Sequence, residues 1–247
     1  ISFILPALIK IPIGGVKVIY KYASELTKLD HRVTIYSPLK EGNSLYSFLK
    51  SRAIFIRDYF HQVDNEPYYK TPKGVKHLII PFVSSQYILD SDIIIATGWQ
   101  TAYWVNKLPK TKGKKCYFIQ NHETYQGKAK LIDNTWTLPL KKIVIAKWLK
   151  QLAEDKDEIA YGPIPNAIDT KEFYITNSIN GRNDHITMLY HRLKIKGGSD
   201  GLSIIQKIRH NYPNIKATII SSRTPNITIP SWINVEIRPN VFLRTIK

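Results

Sequence analysis

ISFILPALIKIPIGGVKVIYKYASELTKLDHRVTIYSP, residues 1–38, is the stretch that decides the fold class. Residues 1–5 read as an apolar strand, and Pro12-Ile13-Gly14-Gly15 as a loop. Val16, Ile19, Tyr20, Ala23, Leu26 and Leu29 then recur at helical spacing over residues 16–29. Asp30-His31-Arg32 leads into a second strand, residues 32–36. A strand, a helix and a further strand in this order open a parallel α/β sheet. The glycine pair at the mouth of the helix has a chemical consequence. Free backbone N–H groups and the helix dipole favour an anion there, and glycine lets a phosphate approach the main chain.

Working outward, strands are predicted near residues 76–81, 92–96, 115–119, 142–145 and 159–162, and helices at 100–107 and 146–153. Residues 39–75, rich in Tyr, Lys and Pro, read as an insertion with some helix. The polar stretch 176–184 reads as a linker, dividing a first domain, 1–178, from a second, 179–247. In the second, residues 186–190 read as a strand, and Gly197-Gly198 opens a helix over 199–211. Strands follow at 215–221 and 235–237. These steps are too few to close a doubly wound sheet. The expected fold class is α/β with two Rossmann-like domains, the second incomplete.

Composition narrows the function classes. The chain is 43% hydrophobic over 247 residues, enough for a real core. No apolar run nears the roughly 18 residues of a membrane span. The first nine residues read as a strand rather than an export leader, because a helix-and-strand unit follows at once and no small-residue cleavage site is clear. The chain opens on Ile rather than Met, so upstream residues are expected. The single Cys116 excludes an internal disulfide framework and fits a reducing compartment. Within Lys115-Cys116-Tyr117-Phe118-Ile119 it reads as a small core residue rather than a nucleophile.

The net charge of +17 is dispersed, which biases the surface toward anionic partners. Its densest cluster is Lys107, Lys110, Lys112, Lys114 and Lys115. A solvated loop is the first reading and a contact with anionic membrane head groups the second. Nucleic-acid binding is not expected, since no zinc-finger spacing, RNP-like motif or helix-turn-helix accompanies the charge.

Ligands of open α/β sheets lie outside the carboxyl ends of the strands. Those ends carry Gly14 and Gly15; Thr97, Gly98, Trp99 and Gln100; and Gln120, Asn121, His122 and Glu123. In the second domain they carry His191 and Arg192, with Lys194 and Lys196 next, and then Ser221, Ser222 and Arg223. The set beginning at His191 is cationic and ends in glycines, as a phosphate site requires.

These residues carry a resemblance. Gly14-Gly15-Val16, Tyr22-Ala23-x-x-Leu26 and Asp30-His31-x-Val33 resemble the start of family 4 glycosyltransferases. That family has the GT-B fold of two Rossmann-like domains and moves a sugar from a nucleotide-sugar donor. Pro165-Asn166-Ala167-Ile168-Asp169 followed by Phe173 resembles its Pro-Asn-Gly-x-Asp…Phe segment, and Lys196-Gly197 its donor-phosphate Lys-Gly. The segment from Ala96 to Ala102 (Ala-Thr-Gly-Trp-Gln-Thr-Ala) and Tyr117-Phe118-Ile119-Gln120-x-x-Glu123 are similar to a branch that includes surface-polysaccharide rhamnosyltransferases.

The resemblance implies that Gly14 and Gly15 face the donor diphosphate. Lys196, with Arg192 and Gly197, would neutralise it as it leaves. His122 and Glu123 would orient acceptor or donor sugar as the catalytic pair, although a lone strand-end His or Glu is more often a surface residue. Trp99, Gln100 and Asn166 would line the cleft. Trp99 and Trp104 read first as packing of the following helix against the sheet and second as a sugar-stacking wall, and Asn166 also reads as a turn cap. No cofactor or metal is expected, and no metal-like cluster of His, Asp and Glu stands out. The implied partners are a nucleotide-diphospho-sugar and a glycan or glycolipid acceptor, with retention of configuration. The implied place is the cytoplasm, peripheral to the inner membrane face.

Three departures stand out. Arg192 lies four residues before Lys196, where the family has five. Ala167 replaces the usual Gly, and no later pair of glutamates eight apart follows Arg238. A helix-end contact is worth ~0.3–1 kcal/mol, up to ~2 when partly buried, and a charged hydrogen bond ~1.5–3 kcal/mol. Micromolar binding needs ~8 kcal/mol. The chain alone is therefore expected to bind a nucleotide sugar weakly and to turn over poorly. The alternative is a non-catalytic, truncated chain that binds a glycan or a partner.

Overall fold

The computed structural model of the chain describes residues 1–39, 67–124, 128–176 and 178–238. It divides into two compact units, Ile1–Ala167 and Ile168–Lys247. The predicted boundary was residue 178. The first unit keeps the chain only as far as its backbone still bonds to it, as Ile164 N–H does to Val144 O at 2.8 Å. Beyond Ile168, Glu172 and Phe173 N–H both donate to Asp169 O.

The first unit is a seven-stranded sheet. Its strands are β1 (Ser2–Ile4), β2 (Thr34–Pro38), β3 (Lys76–Ile80), β4 (Ile93–Ala96), β5 (Lys114–Ile119), β6 (Lys141–Val144) and β7 (Ala160–Tyr161). Their order is β3-β2-β1-β4-β5-β6-β7, and every neighbouring pair is parallel. The chain reverses its direction of growth between β1 and β4, which makes their carboxyl ends the switch point of the sheet. Helices α1 (Gly14–Lys28), α2 (Trp99–Lys107), α3 (Ala129–Asp133) and α4 (Lys147–Glu154) connect the strands.

Alternation along each strand feeds two cores. Phe3, Leu5 and Ile35 pack with Val16, Ile19, Tyr20 and Ala23 of α1 on one face. Ile4, Tyr36 and Ala96 pack with Ala102 and Val105 of α2 and with Leu149 and Ala153 of α4 on the other. Each fully buried large aliphatic side chain is worth ~1.5–3 kcal/mol, so these two stripes account for the sheet's cohesion.

All seven strands fall where the sequence places them. α1 begins earlier than expected, taking Gly14 and Gly15 into its first turn. Its predicted apolar stripe loses its last member: Leu29 is 68% exposed, because the helix stops at Lys28 and Leu29 caps it in a non-helical conformation. The short α3 was not predicted. Of the insertion, the expected helix lies outside the described residues. Residues 67–75 are tied down by Tyr68 N–H to Ile9 O (2.8 Å) and Tyr69 OH to Ile13 O (3.0 Å).

The second unit holds β8 (His185–Tyr190), α5 (Gly198–Asn211), β9 (Lys216–Ser221) and β10 (Ile233–Ile237), in the parallel order β10-β9-β8. Leu202 and Ile205 of α5 pack on Tyr190, Ala217, Ile219 and Ile233. Both units are Rossmann-like α/β arrangements. No helix among the described residues is long and apolar enough to cross a membrane.

Candidate functional site

Two helices start at the switch point of the first unit, α1 after β1 and α2 after β4. The approaches to them are braced differently. At α2, Thr101 Oγ1 accepts from the N–H groups of Thr97 (2.8 Å) and Gly98 (2.9 Å) and donates to Gly98 O (2.7 Å). Thr97 Oγ1 in turn donates to Ile4 O of β1 at 2.7 Å. These bonds take up the N–H groups of Thr97 and of the N-cap Gly98 and so brace the entry to α2, but the N-cap itself has no side chain to bond into the first turn. At α1 the N-cap is Ile13, in an extended conformation, and no side chain caps the turn. Leading N–H groups of an uncapped helix are left for water or an anion.

The two glycines of that turn differ as well. A Cβ on Gly14 would meet no atom within 4 Å, so the backbone there is open. A Cβ on Gly15 would come within 3.3 Å of Gln120 Nε2. Gln120, just past β5, donates that amide to Gly15 O at 3.0 Å. Gly15 is therefore shaped by a side chain of this same unit, and Gly14 alone offers free space beside the helix mouth.

His122 lies in a chain of bonds. The indole N–H of Trp136 donates to His122 Nδ1 at 3.3 Å. His122 Nε2 is 3.3 Å from Asp133 Oδ1, and Lys156 Nζ is 3.0 Å from the same oxygen. An indole only donates, so Nδ1 must be unprotonated and the ring proton sits on Nε2, toward the carboxylate. Burial first, and Lys156 further, push the imidazole below its ordinary pKa, while Asp133 pulls it up. Both ring nitrogens are engaged inside the first unit. The loop after β5 thus folds onto a segment, Asp133 to Trp136, that the sequence did not single out. Asn121 Oδ1 accepts His122 N–H at 2.8 Å and stiffens the same loop. Glu123 is half-buried, and its charge reaches the buried Tyr117, whose hydroxyl burial pushes up strongly.

The predicted cleft residues separate. Trp99 is buried, with the Lys128 ammonium 5.4 Å from its ring centroid, and Trp104 packs against the core. Trp99, the first residue of α2, therefore offers no bare stacking face, while Trp104 in the middle of that helix is half-buried. Gln100 is half-buried at the start of α2. Asn166 is exposed, and the turn after it is closed by Asp169, whose Oδ1 accepts Lys171 N–H at 3.1 Å.

In the second unit the phosphate candidates part company too. Arg192 directs Nε and Nη2 to Thr224 O at 2.9 and 2.5 Å, so its fork holds the loop after β9. Lys196 is exposed, and its ammonium meets no partner among the described residues. Gly197 follows it in the left-handed region (φ 66°) and caps α5, which has no side-chain cap. A depression on α5, lined by Ser203, Gln206, Lys207, His210 and Asn211, belongs to that one helix and lies away from the strand ends.

The lysine cluster lies at the amino ends of the strands of the first unit, opposite the switch point. Lys112 pairs with Asp90 (2.7 Å) and Lys115 Nζ donates to Asn106 O (2.7 Å). Among the described residues no three His, Cys, Asp or Glu gather in a way that could hold a metal ion.

Sequence reasoning missed the roles of Thr101, Gln120, Asp133 and Trp136. The Gly98-x-x-Thr101 spacing at a helix start could have revealed the first. Nothing in the sequence links Gln120 to Gly15 or His122 to Trp136. Neither a protein-family model nor a curated protein matches the chain.

Proposed function

We propose that the chain is a glycosyltransferase of the GT-B type that takes its sugar from a nucleotide-diphospho-sugar. The observation that carries this reading is the α1 mouth at the β1/β4 switch point, where no side chain caps the turn and the backbone is open at Gly14. An open helix start at that place suits a phosphate. In the second unit, Lys196, which meets no partner among the described residues, precedes Gly197 and suits the same chemistry. The resemblance to family 4 glycosyltransferases supplies the substrate class: a nucleotide-sugar donor and a glycan or glycolipid acceptor. The single Cys116 fits a cytoplasmic setting, the lysine cluster suits a peripheral contact with an anionic membrane, and no nucleic-acid motif accompanies the charge.

Calorimetry with UDP, dTDP and GDP tests the reading. Binding weaker than micromolar is expected, reduced further in Lys196→Ala and Gly14→Asp. No binding of any nucleoside diphosphate overturns it, and tight binding overturns the expectation of weakness. The second reading, a non-catalytic binding chain, is favoured by the engagement of both His122 nitrogens. Transfer of radiolabel from a panel of nucleotide sugars to glycolipid acceptors separates the two: transfer supports the enzyme, and diphosphate binding without transfer supports the binder.

A further inference from the structure

We propose that His122 is a positioning residue: in its neutral form, with the proton on Nε2, it pins the loop after β5 between Trp136 and Asp133 and so holds Gln120 against the first turn of α1. This rests on the reading of the α1 mouth as the ligand edge.

The argument starts at Trp136, which is 1% exposed. Its indole N–H is therefore a buried donor, and its acceptor is His122 Nδ1 at 3.3 Å. A buried donor without an acceptor is unfavourable, so Trp136 and neutral His122 hold each other in place. On the other side of the ring, Nε2–H points to Asp133 Oδ1, which is already answered by Lys156. Asp133 from α3 and Lys156 beyond α4 are the charged groups acting on the ring, and Glu123 is the charged group of its own loop. The backbone between the ring and Gln120 is short and braced, since Asn121 Oδ1 accepts His122 N–H at 2.8 Å. Gln120 then reaches across the end of β4 to Gly15 O at 3.0 Å. One line of contacts thus runs from the buried indole to the glycine turn.

Protonating Nδ1 would turn an acceptor into a donor facing another donor. Trp136 loses its partner, the loop loses its peg, and the Gln120 amide loses its fixed approach to Gly15. A residue that only filled space would show no such dependence on protonation.

The test is a titration of the full chain followed by NMR. Nitrogen shifts of His122 at about pH 7.5 are expected to show the proton on Nε2. Lowering the pH to about 5 is expected to move the Trp136 indole N–H, the Gln120 side-chain amide and the Gly15 amide with one common midpoint. In His122→Gln that common titration is lost and the Gly15 amide is displaced already at about pH 7.5. A proton on Nδ1 at the start, or Gln120 and Gly15 signals that stay still while Trp136 titrates, overturns the proposal. The wild-type titration decides the matter even where the variant does not fold. Inorganic pyrophosphate added to the wild type at about pH 7.5 judges the other reading separately. A shift of the Gly14 amide supports the ligand edge. No shift anywhere on the first turn of α1 overturns it while leaving the titration result intact.

Discussion

The openings of α1 and α5 look alike in sequence, a glycine pair entering a helix after a strand, and they use their glycines for opposite ends. At α1, Gly14 leaves space beside the main chain, and Gly15 makes room for Gln120. At α5, Gly197 adopts a left-handed cap, and a Cβ on Gly198 would lie 2.6 Å from the Tyr190 ring. That ring cannot swing aside freely, because its hydroxyl donates to Asn226 Oδ1 at 2.5 Å. A Cβ on Gly201 would press as closely on Met188 Sδ, but a thioether can move. The glycines of α5 let a helix press onto its sheet, whereas at α1 Gly14 leaves a surface open and Gly15 admits a side chain. A glycine pair in a sequence therefore does not say whether its freedom is spent on packing or on access.

The strongest way to separate the two regions is to break one unit alone. Lys142 is buried in β6, donating Nζ to Leu138 O at 3.1 Å and pairing with Glu158 at 2.7 Å. Lys142→Ala leaves that carboxylate unpaired. With Glu158 27% exposed, the loss is expected at the low end of the range for broken buried pairs, about 3 kcal/mol. Hydrogen exchange at Phe118 should accelerate while that at Ile219 stays as it was; equal acceleration at both would show that the units are not independent.

Next in size is Gly198→Ala, expected to cost ~1–3 kcal/mol through overpacking on Tyr190. Its counterpart Gly14→Ala meets open space and should leave the fold as stable or ~0.5–1 kcal/mol more so. Urea unfolding of the two variants tests the contrast, and similar losses in both would erase it. A smaller effect is expected at Gly15→Ala, which crowds Gln120. The coupling to Gln120→Ala in a double-mutant cycle should be about 1 kcal/mol, and additivity would deny the contact.

The last expectation is one of direction. His77, bonded to Ser37 at 2.8 Å, and His122 are both held below the ordinary imidazole value of 6.5, chiefly by burial. The unfolded chain then binds more protons than the folded one just below that value. Stability is fully present above about pH 6.5, falls as pH drops through the window beneath it, and levels off below the folded-state values. Denaturant midpoints measured across that window should follow this course, and His77→Gln with His122→Gln should flatten it.

Much of the fold was legible because it is written in local periods. The stripe Val16, Ile19, Tyr20, Ala23 marks α1, and alternation in Phe3-Ile4-Leu5 marks a strand buried on both faces. The site was legible only as places. Strand ends named Gly14, Gln120 and His122, but their partners lie far along the chain, 105 residues away for Gln120 and Gly15. Lys142 in a strand and the short α3 escaped for the same reason: their stabilising contacts are tertiary.

By itself the sequence determined the alternating architecture, the two glycine-opened helices, the basic surface and the residues at the strand ends, because apolar period and glycine placement act over one or two turns of chain. The tertiary structure alone decided which glycine is open, that Arg192 is spent on a carbonyl while Lys196 is free among the described residues, and that His122 is pinned at both nitrogens. Hydrogen bonds and close packing select one partner among many in space, and residue type alone does not specify that choice.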